Sequence, residues 1–340
     1  CLVLRRPTSL ADWHGAHGSG SNVGAAEARH SPIALTLQDN SFHEHFHFIA
    51  NPSHSRRRPA HHPVLSQRRL HGTARRQDQR DGYEVVPVYA GEPFRFAQHM
   101  ARLDRSLAEL RISNPLSHAE WRDIARQLVA DFTREAGTQT PPDQLIYIQV
   151  SRGVALRDHV MTQGVAPTIF VMTNLMKPVP AAQRADGVAC VSADDFRWEK
   201  AHIKSTSLLG AVFSRQISAD VGAMETVMFR DGYLSEAAAS NVWVVKDGCV
   251  LGTPKDHLVL EGIRYGLIES LCRDAGLGFE LRRISRAEVF AADELLLSSA
   301  TKEILPITQL DGLAVGNGQP GPVYAQLFAG YQRAKAGQQP

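Results

Sequence analysis

The chain changes character near residue 81, and that change limits where a fold can form. Residues 1–80 hold 11 Arg, no Lys, 5 acidic residues and ten of the 15 histidines. The stretch "SHSRRRPAHHPVLSQRRLHGTARRQDQR" follows neither the period of 2 that marks a strand nor the 3.6 that marks a helix, and a segment this charged has too little apolar surface to bury a core. Residues 1–80 are therefore expected to be a disordered tail or the product of a misassigned start. No secretory signal peptide is expected, because no apolar stretch precedes a small-residue cleavage site. "HEHFHF" alternates and raises the option of a metal, but its surroundings favour a tail, and no metal is expected.

Downstream, strand and helix patterns interleave. "YEVVPVYAGEPFRF" reads as two strands around an Ala90–Gly91 turn. "AQHMARLDRSLAEL" puts Met100, Leu103, Leu107 and Leu110 on one helical face, and "HAEWRDIARQLVADFTREAG" is a second amphipathic helix, stopped by Gly137. "QLIYIQVSRG" and "PTIFVMT" are strands, and the proline-bearing "NLMKPVPAAQ" reads as a linker. Beyond it come the strand "GVACVSA", hairpins with Asp–Gly turns at 231–232 and 247–248, a helix over "GIRYGLIESLCRDAG" capped by Gly276, a strand–loop–strand in "ELLLSSATKEILPITQLDG", and a last helix over "GPVYAQLFAGYQRAKAG". The pattern predicts an α/β (α+β) chain: a small α/β domain over 81–175, a linker at 176–182, a larger domain over 183–333 and a tail at 334–340.

Composition excludes several functions. The longest apolar runs, "NVWVV" and "ELLL", are far too short to span a bilayer, so no membrane is expected. After residue 80 there are 26 basic against 30 acidic residues, which leaves no basic face for nucleic acid. Four cysteines at 1, 190, 249 and 272 form no paired motif. That spacing argues against a disulfide framework and fits a reducing, cytoplasmic setting.

One lysine is out of place on a solvated surface. The chain has only seven lysines, and Lys204 in "EKAHIKSTSLLGA" sits at the edge of an apolar run with Ser205, Thr206 and Ser207 behind it. Alone it is a weak signal. Glu236, in "LSEAAASNVWVV", follows after a hairpin and precedes small side chains that let a flat ligand approach the backbone. "LVLEGIRYGLIESL" leads through Gly262 into a helix N-terminus, where backbone N–H groups favour a phosphate. "LLLSSATKEILPI" supplies a second Ser/Thr loop with N–H and hydroxyl donors. An amine, a carboxylate and two anion cradles are the groups that pyridoxal 5'-phosphate requires.

At this point the chain resembles the fold-type IV pyridoxal-phosphate enzymes, from about residue 81 to 333. Within that family it is most similar to the D-amino-acid aminotransferases. The blocks "IKSTSLLG", "SEAAASNVW", "LEGIRY" and "SSATKEILP" match the family's in order and spacing. The resemblance implies a small α/β sandwich domain beside a larger pseudo-barrel domain, and a homodimer acting on an amino acid and a 2-oxo acid. It places Lys204 at the Schiff-base lysine and Glu236 at the acid that bonds the pyridine nitrogen. Arg102, in "QHMARL", matches the phosphate-binding arginine. Gly262, Ile263 and Arg264 fall at the phosphate-holding turn, and Leu260 backs the cofactor ring. Ser240, Ser299 and Ala300 fall in the two small-residue loops of the cofactor site. Tyr83 matches a tyrosine of the substrate pocket. Arg157 and His159, in "SRGVALRDHVMT", match an Arg-x-His pair that reaches across the dimer interface to the substrate carboxylate, an anion that an Arg fork holds bidentately.

The chain also departs from the pattern. Arg264 stands where the family has Thr, so its backbone N–H remains and the hydroxyl is lost. The Arg264 side chain is open between an anion contact and a solvated first-turn residue. Ala300 replaces another hydroxyl, and Ala237–Ala238–Ala239 leave only Ser240 in a serine-rich loop. Where the family has its two opening strands, this chain has "RRQDQRDG". The expected activity is transfer of an amino group from a D-amino acid of the D-alanine or D-glutamate type to 2-oxoglutarate or pyruvate. The alternatives are a branched-chain L-amino-acid aminotransferase or an aminodeoxychorismate lyase of the same fold, or an inactive truncated product. Bland readings of single residues also remain, such as Arg102 pairing with Asp104 or Glu109 on its own helix face.

Overall fold

Turn chemistry and two-faced strand burial set the architecture. A computed structural model describes residues 46–47, 81–155 and 158–337. The first sheet has five strands in the order β1-β5-β4-β2-β3. These are β1 (Phe46–His47), β2 (Gly82–Tyr89), β3 (Glu92–Pro93), β4 (Gln144–Ser151) and β5 (Thr168–Leu175), all paired antiparallel. The β2–β3 turn has Ala90 and Gly91 both at positive φ, 49° and 84°, which matches the right-handed twist of a hairpin. Phe46–His47 extends the sheet at its β5 edge, within a stretch for which the sequence offered alternation and no helix period. The remaining expectations for residues 1–80 lie outside the described residues.

Two helices cover one face of this sheet. Helix α1 (Phe96–Glu109) turns Met100, Leu103 and Leu107 inward, as its period predicts. Helix α2 (His118–Glu135) starts with a capping box, in which Ser117 accepts from the Glu120 N–H and Glu120 accepts from Ser117 N–H. Trp121, Ile146 and Ile148 are fully enclosed between these layers.

The second sheet is mixed and has nine strands. Its elements are β6 (Val188–Asp194), β7 (Glu225–Arg230), β8 (Tyr233–Ala237), β9 (Asn241–Lys246), β10 (Cys249–Gly252), β11 (Gly278–Leu281), β12 (Glu294–Ser299), β13 (Glu303–Leu310) and β14 (Leu313–Ala314). The order is β11-β10-β9-β12-β13-β6-β7-β8, with β14 on β13. The edge strand β8 turns through Ala238–Ser240 straight into β9 in the middle of the sheet, so the sheet curls into a half-barrel. Asp231–Gly232 and Asp247–Gly248 make the predicted tight turns, with both φ values positive in each pair.

Helices α3 (Ala181–Ala185), α4 (Leu209–Asp220), α5 (Tyr265–Asp274), α6 (Arg286–Phe290) and α7 (Pro322–Lys335) complete the chain. The expected linker runs into α3 at Ala181, with Pro180 as its N-cap; proline's missing N–H is no loss there. Helices α5 and α7 pack on one face of the half-barrel around Trp243, Tyr265 and Tyr331, while Val244, Leu295 and Leu297 fill the other face. Burial on both faces explains why "NVWVV" and "ELLL" are continuous apolar runs and do not alternate. Helix α5 ends as predicted at Gly276 (φ 68°), where Gly276 N–H bonds Arg273 O and Leu277 N–H bonds Cys272 O.

Candidate functional site

The segment carrying Lys204 is pinned from three sides. Tyr83 N–H donates to Lys204 O at 3.1 Å, Thr206 N–H donates to Asp81 O at 3.0 Å, and Lys204 N–H donates to Ser106 Oγ at 3.1 Å. Lys204 Nζ lies 4.1 Å from the centroid of the Tyr83 ring, which stacks on Tyr147 at 5.7 Å. This strand-and-helix anchorage projects the amine into a cavity of about 570 Å³, a volume suited to a small-molecule ligand. Arg102, Glu236, Leu260, Gly262, Ile263, Arg264, Ser240, Ser299 and Ala300 line the same cavity, as does Tyr83. Every predicted site residue except the Arg157–His159 pair therefore converges on one space. Arg157 lies outside the described residues. His159 is exposed and is not among the residues that line the cavity.

Glu236 is the electrostatic centre. Its Oε1 accepts from Arg197 Nη1 at 2.6 Å and from Leu260 N–H at 3.3 Å, and its Oε2 accepts from Asn241 Nδ2 at 3.0 Å. Burial pushes the Glu236 carboxyl above its usual value, and Arg197 with the Leu260 N–H pulls against that rise. Three donors aimed at two oxygens suit the ionised form. Arg197 is itself gripped bidentately by Asp195, at 2.9 Å for both Nε and Nη2. Burial alone would lower the Arg197 pKa, but Asp195 and Glu236 raise it.

Arg102 is oriented by a buried triad. Glu84 takes Arg102 Nε at 2.7 Å and Nη2 at 2.8 Å, and accepts from His99 Nδ1 at 2.7 Å. Arg102 Nη1 donates to Glu261 O at 3.3 Å. The helix-face alternative for Arg102 is thereby corrected: Asp104 binds Asn114 and His118 instead. Burial would raise the Glu84 carboxyl, yet Arg102 and His99 hold it well below the usual carboxylate range. Burial also pushes the His99 imidazole down to about 4, so the ring is neutral at pH 7.

The two loops are fixed by contacts that reach across the sheet. Asn241 bridges Glu236 and Leu260 O, the latter at 3.0 Å. A Cβ at Gly262 would lie 1.8 Å from Asn241 Oδ1, so only glycine fits there. Lys302 Nζ meets Glu225 at 2.7 Å and Ser240 Oγ at 3.1 Å, while Ser240 Oγ donates to Glu225 at 2.9 Å. This joins the loop after Glu236 to the loop at 299–302. Ser299 Oγ accepts from Lys302 N–H at 3.0 Å. Arg264 is corrected most clearly. It is buried and not a solvated first-turn residue, because the rings of Phe94 and Tyr331 close over it.

Sequence reasoning missed Arg197, Asn241, Glu84, His99 and Lys302. Arg197 had a usable signal in "DDFRWEK", an arginine among carboxylates just before Lys204. Glu84 and His99 had none, because their pairing joins a strand to a helix.

Residues 82–310 match the family model of amino-transferase class IV. The chain is 35% identical to a D-alanine aminotransferase of Bacillus licheniformis over 252 residues, covering 74% of this chain and 86% of the relative. It is 34% identical to a D-alanine aminotransferase of Listeria monocytogenes over 248 residues, covering 72% and 83%. Among solved structures, a branched-chain amino acid aminotransferase of Escherichia coli aligns with a TM-score of 0.68 at 22% identity, covering 77% of this chain and 88% of that one. A fold IV transaminase of Curtobacterium pusillum aligns with a TM-score of 0.64 at 26% identity, covering 73% and 84%.

The buried triad sets an acid limit on the fold. His99 titrates near its ordinary 6.5 when unfolded and at about 4 when folded, so the unfolded state binds the proton first as pH falls. Stability from neutral His99 is complete above pH 6.5 and is lost between about 6.5 and 4. The loss reaches at most about 3 kcal/mol. Urea unfolding across that range should show the loss, and His99→Asn, which keeps a donor toward Glu84, should remove most of it.

Proposed function

The chain belongs to the amino-transferase class IV family, and on that premise we propose that it moves the amino group of a D-amino acid to a 2-oxo acid, using pyridoxal 5'-phosphate held in the Lys204 cavity. The observation that carries this reading is the meeting of Lys204, Glu236, Arg102 and the start of α5 around one cavity. The curated relatives named D-alanine aminotransferases support the D-configuration. The likeness to branched-chain aminotransferases, at 22% identity, speaks to the fold alone.

The donor set fits the cofactor. The Ala237–Ala238–Ala239 wall leaves room for a flat ring, Glu236 Oε2 keeps acceptor capacity beside Asn241, and Arg102 with the first turn before α5 would hold a phosphate. When bound, the cofactor supplies an aldehyde carbon that carries the amino group and a ring that draws electron density from the substrate α-carbon. Lys204 Nζ would anchor the cofactor and, once free, would take the proton from the substrate α-carbon and deliver it to the cofactor's aldehyde carbon, across the amino nitrogen that lies between the two. Glu236 fixes a positive charge at the ring nitrogen, and Arg197 keeps Glu236 ionised and aligned. Tyr83 forms one wall against the amine. D-alanine or D-glutamate with pyruvate or 2-oxoglutarate are the proposed substrates.

The same reading makes the enzyme a homodimer with two domains, 81–175 and 183–333, joined at 176–182. Helix α4 supports the dimer, because Leu209, Val212, Phe213 and Ile217 are exposed along one face and Val221 follows just past its end. An apolar stripe of this kind calls for a covering surface. A second copy would cover it and bring Arg157 and His159 to the neighbouring cavity. The thiols of Cys190, Cys249 and Cys272 are free, consistent with a proposed cytoplasmic location.

Purified chain supplied with pyridoxal 5'-phosphate, D-alanine and 2-oxoglutarate should release pyruvate, and L-leucine in place of D-alanine should give no turnover. The reverse preference would overturn the D-specific reading. Glu236→Gln should keep the fold by circular dichroism while kcat falls by ~10²-fold or more. Arg157→Ala should lower kcat/KM for the amino acid by roughly one to two decades, the size of a lost charge-assisted hydrogen bond. Mixing Arg157→Ala with Lys204→Ala subunits should restore part of the activity, because one cavity of each mixed dimer then has both residues. A mixture that stays inactive after verified exchange would place Arg157 outside the partner's site.

A further inference from the structure

Five cations line the cavity, and the arrangement accounts for four of them. Lys204 supplies the amine. Arg102 is offset by Glu84 at 2.7 Å, Arg197 by Asp195 at 2.9 Å and Glu236 at 2.6 Å, and Arg264 is enclosed by the Phe94 and Tyr331 rings. The fifth, Arg215 on α4, has no ion-pair partner among the described residues. Glu225, which like Arg215 lies close enough to act on the Cys190 thiol, is matched by Lys302 at 2.7 Å. Arg215 Nη1 donates to Ser218 Oγ at 2.8 Å and to Ala223 O at 3.4 Å. Arg215 also borders a second recess, together with Ala223, and the bond to Ala223 O commits Nη1 there. Nε and Nη2 have no hydrogen-bond partner among the described residues, and on this half-buried side chain neither is sealed from solvent.

The helix sets what this guanidinium can serve. Ala211, Val212, Arg215, Gln216 and Ala219 recur at spacings of three and four, so one face of α4 lines the cavity. That face is apolar in the first turn after Lys204 and becomes polar in the second, at Arg215 and Gln216. The alanine wall is tied to the same stretch of α4. Thr226 Oγ1 donates to Ser214 O at 2.6 Å, and Thr226 O accepts from Ala238 N–H at 3.1 Å. A substrate joined at Lys204 and extended along this face meets short apolar side chains first and the free cation beyond them. We propose that Arg215 binds the distal carboxylate of a dicarboxylic substrate, so that D-glutamate and 2-oxoglutarate are held by their far end and D-alanine and pyruvate are not. This inference rests on the aminotransferase reading of the cavity and deepens it. A guanidinium that keeps contact with water loses little solvation before the ligand arrives, and its planar fork matches a carboxylate.

The experiment compares two acceptors of equal length that differ only at the far end, 2-oxoglutarate and 2-oxopentanoate. D-alanine is the donor in both arms, and pyruvate release is read by chromatography. The full chain loaded with pyridoxal 5'-phosphate should show a KM for 2-oxoglutarate at least about tenfold below that for 2-oxopentanoate, the size of one charge-assisted bond. Equal values overturn the proposal without recourse to any variant. Arg215→Gln, which keeps a donor for Ala223 O, should raise KM for 2-oxoglutarate by about tenfold or more, while kcat and both constants for 2-oxopentanoate stay within about twofold. Arg215→Lys, which keeps the charge without the fork, should recover part of that loss, and no recovery contradicts a role for the charge. Equal weakening for both acceptors, or for neither, overturns the proposal and leaves Arg215 as a residue that closes the end of α4. A parent chain that turns over neither acceptor refutes the aminotransferase reading itself, whereas a parent active on both with an unselective Gln variant sinks this inference alone.

Discussion

The ion pair between Arg197 and Glu236 is the constraint around which the cavity is arranged. A buried carboxylate costs several kcal/mol unless charge and hydrogen bonds offset it. Here one guanidinium at 2.6 Å, one amide and one backbone N–H meet it. Arg197 is held in turn by Asp195, which Arg230 also approaches at 3.3 Å. The result is an alternating chain of charges that fixes the carboxylate before any ligand arrives. Such preorganisation is what an electrostatic partner of a developing charge requires.

The rest of the site follows from the positions this pair imposes. Asn241 must reach Glu236 and Leu260 together, and that reach excludes any side chain at Gly262. The absence of a Cβ brings the start of α5 close to the cavity. Glu84 fixes Arg102 side-on, and neutral His99 completes the donor set around Glu84 without adding charge. Lys302 and Glu225 tie the two small-residue loops to each other. Lys204 therefore projects into a cavity that the edge strand β8 and the central strands β9 and β12 of the half-barrel also line.

What could be read from the sequence follows the range of each interaction. Lys204, Glu236 and the loops at 240 and 299–300 lie in compact blocks, where local order and spacing carry the information. The Asp–Gly turns and the Gly276 cap were equally plain, because positive φ leaves a residue-type signature. Arg197, His99 and Glu84 were not legible, since their partners lie on other elements and no period links them. Arg264 shows the limit most clearly. Its place in a first helical turn allowed a solvated side chain, and only Phe94 and Tyr331, brought in from distant segments, bury it. Burial alternates along most of β4 and the first half of β2, whereas β7, β9 and β12 of the half-barrel are buried almost throughout, because helices cover one face and core side chains fill the other.

The central claim is that Lys204 is the residue that binds the cofactor covalently. Purified full-length chain, loaded with pyridoxal 5'-phosphate, reduced with borohydride and digested, tests it by mass spectrometry of the peptides. The account predicts a single reduced pyridoxyl mark on Lys204, absent from Lys204→Ala. A mark on any of the other six lysines, or none on protein with a verified fold, would contradict it.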